Sequence, residues 1–156
     1  MALIRAAAPH LLDTTRLLHW TRDTSQAKAI DLQFQLSTLR MKPLICEVSI
    51  GEMLAFSRGR AWGAGKQQRL MDILDKQTVI VRISDPRVMD AYADLSTLSR
   101  SSGRSLFNGK NDLWVGAAAR ATQAHPLTMD TDFLPLRSQP GWTVTVLDDK
   151  TGLPRP

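Results

Sequence analysis

The sequence predicts one α/β domain built on a mainly parallel sheet. Strand-like apolar segments alternate with helix-like ones along the chain, the arrangement that feeds parallel strands. A length of 156 residues suits one core of ordinary size rather than two. A composition 43% apolar and 22% charged is globular and argues against disorder. Helices cover both faces of such sheets, and functional groups gather beyond the carboxyl ends of the strands.

In chain order, "PHLLDTT" reads as a short buried strand ending at Asp13. "TSQAKAIDLQFQLSTLRM" follows as a helix with apolar residues at mixed spacing. "KPLICEVS" is a second strand, and "SIGEMLAFSRGR" a helix in which Ser49 and Glu52 have the spacing of a capping box. "KQQRLMDILDK" places Leu70, Ile73 and Leu74 on one stripe, a further helix. "TVIVRI" is β-branched and strand-like. Asp85 followed by Pro86 opens a helix that stops near Gly103. "NDLWVGAAARATQA" is a helix capped by Asn111; "HPLTMD" and "GWTVTVLD" complete the strands. Residues 1–147 are expected to form the domain, and the polar, Pro-containing 148–156 a loose tail.

No apolar run is long enough to cross a bilayer. "MALIRAAAPHLL" lacks the sustained apolar stretch of a secretory signal, so a cytoplasmic location is expected. Cys46 is the single cysteine, which excludes an internal disulfide and a thiolate zinc site; in "PLICEV" it reads as a small core residue. The three histidines lack metal-ligand spacing, and no G-x-S-x-G nucleophile motif occurs. A net charge of +5 suits a polyanionic partner, nucleic acid foremost.

Against that positive balance, the placement of the acids is informative. Asp13 and Asp130 fall at strand ends, and Glu52 and Asp112 in the first turns of helices that can follow onto the same sheet edge. Each has a local explanation: Asp112 favours the helix dipole, Glu52 completes a capping box, and Asp130 and Asp132 suit a turn. Asp13, charged directly after "HLL", needs a partner or an exposed edge. Together the acids favour a divalent cation, because several carboxylates a few ångströms apart cannot all stay ionised without one. Mg²⁺, a hard ion that prefers oxygen ligands, fits such a set.

The segments "LLDTTRLL", "CEVSIGEML", "NDLWVGAAARA" and "PLTMDTDF", in this order, resemble the four acidic motifs of PIN-domain ribonucleases, and most closely the VapC-type toxins of bacterial toxin–antitoxin pairs. The likeness runs from about Leu11 to Phe133. It implies a three-layer α/β/α PIN-like fold and Mg²⁺- or Mn²⁺-dependent hydrolysis of RNA, with activated water attacking a backbone phosphate in line. It also implies roles. Asp13 and Asp112 would hold the metal, directly or through waters, Glu52 and Asp130 would complete the shell or a second metal position, and Asp132 would help orient water. Thr15 stands where the family usually has Asn or Ser, and Thr128 matches a Thr frequent before the last acids; both would orient ligands. Implied partners are RNA, a cognate antitoxin protein and a second copy in a homodimer, with no membrane.

Arg58, Arg60, Lys66 and Arg69 surround Trp62 in "RGRAWGAGKQQR", and Arg104 and Lys110 precede Asp112; these are candidates for phosphate contact. Trp62 is either a base-stacking residue, a contact for a partner, or folded against the body. Trp114 reads as core. An aspartyl phosphotransferase is disfavoured, because its "D-x-D" pair belongs to the first strand–loop unit. The remaining alternative is a catalytically inactive PIN-like module that binds RNA or protein.

Overall fold

The computed structural model describes residues 8–38, 41–101, 109–138 and 140–156. Its frame is a five-stranded sheet of β1 (His10–Leu12), β2 (Leu44–Cys46), β3 (Val79–Val81), β4 (His125–Thr128) and β5 (Thr145–Val146), in the order β3-β2-β1-β4-β5. Every pairing is parallel. The central strand β1 aligns Leu12 with Ile45 on one side and with Leu127 on the other. This register brings the carboxyl ends of β1, β2 and β4 to one edge.

Side chains alternate across a strand, so adjacent residues serve opposite faces. Leu11, Cys46, Val81 and Val146 enter one core with α5 (Pro86–Ser101) and α6 (Lys110–Thr122). Leu12, Ile45 and Leu127 enter the other core, with α1 (Thr14–Arg22), α2 (Ser25–Phe34), α3 (Glu47–Gly59) and α4 (Ala64–Asp72). The result is the three-layer α/β/α arrangement. Cys46 is fully buried, its thiol pushed up to about 11 by burial, as a structural cysteine should be. Trp114 stacks on Tyr92 at a 4.0 Å centroid distance, against the first core. No described helix is long and apolar enough to cross a membrane.

Several local expectations need correction. The stretch after Asp13 is helical: α1 starts at Thr14, with Asp13 as its N-cap accepting from the Arg16 N–H. Two successive β-branched threonines hide this helix from propensity; the cap and the burial of Arg16, Leu17 and Thr21 sustain it. The next helix stops at Phe34 instead of reaching Met41. Gln35 turns left-handed, and the Asp31 carboxylate takes the Ser37 N–H and hydroxyl at 2.8 and 2.7 Å, an alternative to further helical bonds.

Ser49 is not an N-cap. The helix α3 starts at Glu47 directly from β2, which leaves Ser49 buried inside it and its hydroxyl without a partner among the described residues. Asn111 is not a cap either: Gly109 precedes α6, and no side chain caps it. The 66–76 helix is split into α4 and a π-helical turn, Ile73–Gln77. Asp85 does receive the Arg87 N–H at 2.9 Å, but Gly103 lies outside the described residues. The segment 148–156 carries backbone hydrogen bonds, among them Arg155 N–H to Val146 C=O at 2.7 Å, and Leu147 bridges to Pro154. Gly152, at φ +73°, sits so close to the Gln26 carbonyl that a Cβ would lie 2.8 Å from its oxygen. Only glycine fits both conditions.

Candidate metal centre at the carboxyl edge of the sheet

The site starts from Asp13, one residue past β1, where the chain turns directly into α1. That turn buries its side chain to 6% exposure. One carboxylate oxygen accepts the Arg16 N–H at 2.9 Å; the other accepts the hydroxyls of Thr15, at 3.0 Å, and Thr128. Thr128 is the last residue of β4, and its hydroxyl also accepts the Asp130 N–H at 2.9 Å. One hydroxyl therefore connects Asp13, the first acid of the cluster, to Asp130, the fourth. Beyond β4 the backbone enters a 3-10 helix, Thr131–Ser138, and the Asp132 N–H donates to the Asp130 carboxylate at 2.8 Å.

Glu52 comes from the second turn of α3. Its two oxygens accept the Thr14 hydroxyl and, at 2.7 Å, the Asn111 side-chain amide. Asp112 lies one residue further along α6. Carboxylate oxygens of Asp112, Asp130 and Asp132 fall within 4.8 Å of one another. Asp13, Glu52, Asp112 and Asp130 line one cleft of about 310 Å³, whose apolar walls include Leu18, Met53, Phe56 and Val115.

Burial and the neighbouring acids raise the proton affinity of Asp112 and Asp13. Asp112 is pushed up to about 6, first by burial and then by the charges of Asp130, Glu52, Asp13 and Asp132. Asp13 is also raised: burial outweighs the hydrogen bonds from Thr128, Arg16 and Thr15 that favour its ionised form. None of Asp13, Glu52, Asp112 and Asp130 forms an ion pair with a described lysine or arginine. Hard oxygen donors crowded together, with no ion pair to a described lysine or arginine, match the needs of Mg²⁺ or Mn²⁺, so the donor set fits such an ion.

Arg16 is the nearby exception to exposed positive charge. It is 0% exposed, its three guanidinium nitrogens have no hydrogen-bond partner among the described residues, and its guanidinium carbon lies 5.6 Å from the Trp20 ring centroid. Burial lowers it to about 10, while Asp31 and Asp13 act in the opposite direction.

The basic candidates are spread wider. Arg58, Arg60, Lys66 and Arg69 are all exposed. The Arg60 guanidinium lies 5.5 Å from the centroid of the Phe56 ring in the cleft wall, and the Lys66 ammonium 5.9 Å from that of Trp62. Arg69 donates to the Trp20 carbonyl at 3.3 Å and pairs with Asp23 at 3.6 Å. Arg104 lies outside the described residues, and Lys110 opens α6. Trp62 is only 8% exposed and belongs to the second core, so it is folded against the body. Sequence reasoning passed over Thr14, Asn111 and Phe56. Asn111 offered a signal in the "ND" pair, but a helix cap accounted for it.

No protein-family model matches the chain, and no curated protein matches it in sequence. Solved structures do share its fold. One is VapBC2 from Rickettsia felis, bound to a DNA fragment from its promoter: TM-score 0.65, 18% identity, covering 89% of this chain and 98% of that one. VapBC-1 from nontypeable Haemophilus influenzae matches with a TM-score of 0.66 and 14% identity over 88% and 96% of the two chains. VapBC-5 from Mycobacterium tuberculosis, a member of the VapBC family of toxin–antitoxin systems, gives 0.58 and 19% over 90% and 99%. The matched chains are VapC components, so the chain has the PIN-like fold that its acidic segments resemble.

Proposed function

We propose that this chain is a metal-dependent endoribonuclease, the toxin of a toxin–antitoxin pair. The observation that carries the reading is the convergence of Asp13, Glu52, Asp112 and Asp130 on one cleft, with Asp132 beside them. Their segments are distant in sequence, and helix capping accounts for Asp13 alone. A bound Mg²⁺ or Mn²⁺ would neutralise the acids, make a water more acidic and stabilise charge on a phosphate.

In this reading Asp13 and Asp112 hold the ion, with Glu52 and Asp130 completing its surroundings and Asp132 orienting water. The threonines have positioning roles. Thr15 and Thr128 fix the Asp13 carboxylate, while Thr14 and Asn111 fix that of Glu52. Such supporting contacts set ligand orientation and basicity. The exposed Arg58, Arg60, Lys66 and Arg69, with Arg104 and Lys110, supply phosphate contacts for RNA. The fold neighbours are complexes of toxin and antitoxin, which supports a small antitoxin protein as partner. A homodimer in the cytoplasm is the expected setting.

The test is cleavage. Purified protein is incubated with cellular RNA in Mg²⁺, Mn²⁺ or chelator, and product ends are mapped by sequencing. Discrete ends that need the metal and vanish in Asp112→Asn support the reading. Identical products from a correctly folded Asp13→Asn/Asp112→Asn double variant would remove it.

A further inference from the structure

From its second turn onward, α3 carries an acid, an aromatic ring and a cation on one face. Glu52, Phe56 and Arg60, its C-cap, follow at intervals of four, which stacks their side chains along the same line over about 12 Å. Glu52 and Phe56 both line the acidic cleft, and the Arg60 guanidinium lies over the Phe56 ring. Trp62 meets the same ring edge-on, centroids 5.9 Å apart at 81°, and is itself buried, so Phe56 is braced from behind. Phe56 is only partly buried and is the aromatic residue among those lining the cleft.

The ring packs against the second core on one side, and its exposed part faces the cleft next to the place where a phosphate would be held. We infer that Phe56 stacks on an unpaired nucleobase adjoining the phosphate at the acidic cluster, the exposed Arg60 guanidinium moving off the ring face to take the next phosphate. The inference deepens the nuclease reading and rests on it. It assigns the stacking role to Phe56 in the cleft wall and leaves Trp62 as its support. A base inside a duplex cannot reach the ring, so the contact selects single-stranded RNA.

The test measures binding, with cleavage silenced. In an Asp112→Asn background with Mg²⁺, the affinity for a fluorescein-labelled single-stranded RNA of mixed sequence is read by anisotropy, beside an abasic oligonucleotide of equal length. Phe56→Leu should weaken RNA binding roughly 5- to 100-fold, the usual worth of one stacked base. Phe56→Trp should restore affinity to within about threefold, because any π-face serves. All three proteins should bind the abasic strand alike. Unchanged RNA affinity in Phe56→Leu, an equal loss on the abasic strand, or a parent that binds no RNA overturns the assignment. Cleavage by the Phe56 enzyme with intact acids is scored separately. If it persists while Phe56→Leu binds normally, the stacking role falls alone; if it is absent while the stacking pattern holds, only the catalytic reading falls.

Discussion

The side-chain amide of Asn111 donates to Glu52 at 2.7 Å, joining the start of α6 to the second turn of α3. The two residues are 59 positions apart, and among the described residues only Thr14 joins Asn111 in orienting this acid.

Removing that bond should loosen Glu52 without touching the other acids. Asn111→Ala is expected to lower metal affinity or turnover roughly 10- to 100-fold, as loss of a supporting contact usually does. Cleavage rate against Mg²⁺ concentration provides the measurement. A wild-type curve would show that Thr14 alone suffices.

Asp13 caps α1 and, in the reading proposed above, also faces the metal. Asp13→Asn keeps a capping oxygen and removes a buried charge, whereas Asp13→Ala removes both. Urea unfolding should therefore place Asp13→Ala about 1 kcal/mol below Asp13→Asn. Neither should cleave RNA. Equal stabilities would mean that burial in α1 holds the helix without its cap.

Stability of the metal-free protein should depend on pH in the direction opposite to an ordinary salt-bridged acid. Asp112 keeps its proton in the folded protein to about pH 6, while an unfolded aspartate releases it near pH 3.9. Over that window the folded state binds more protons, so stability is highest below it and is lost as pH rises through about 6. Asp13 is shifted in the same direction. Melting temperature measured in chelator should fall across this range, and excess Mg²⁺ should remove the fall. A flat profile in chelator counts against the crowding of charge.

Arg16 should be replaceable at a gain. Its guanidinium is buried without hydrogen bonds, and an apolar side chain of similar length avoids that desolvation. Arg16→Met is expected to shift the urea midpoint upward. A loss would show that attraction to Asp13 and Asp31 outweighs burial.

The strands were legible because short apolar runs ending in turn residues leave few alternatives, and the parallel order follows from the intervening helices. What failed was local chemistry with two outlets. Ser49 and Asn111 have the right types for helix caps, yet one is buried inside a helix and the other bonds across the cleft. The α1 helix was illegible because Thr14 and Thr15 disfavour it and a long-range fold overrides them. The acids that meet in the cleft could be named in advance because strand ends in this topology converge. Phe56 could not, since nothing within its own helix distinguishes a cleft wall from a core contact.

The Asp13–Thr128 bond closes a loop of 115 positions. A polypeptide still leaving the ribosome exposes its first acids long before the second half of the cluster has been synthesised. Prematurely terminated products, or fragments cut between the two halves, would lack the complete cleft as well. On the nuclease reading proposed above, such partial copies would carry no activity.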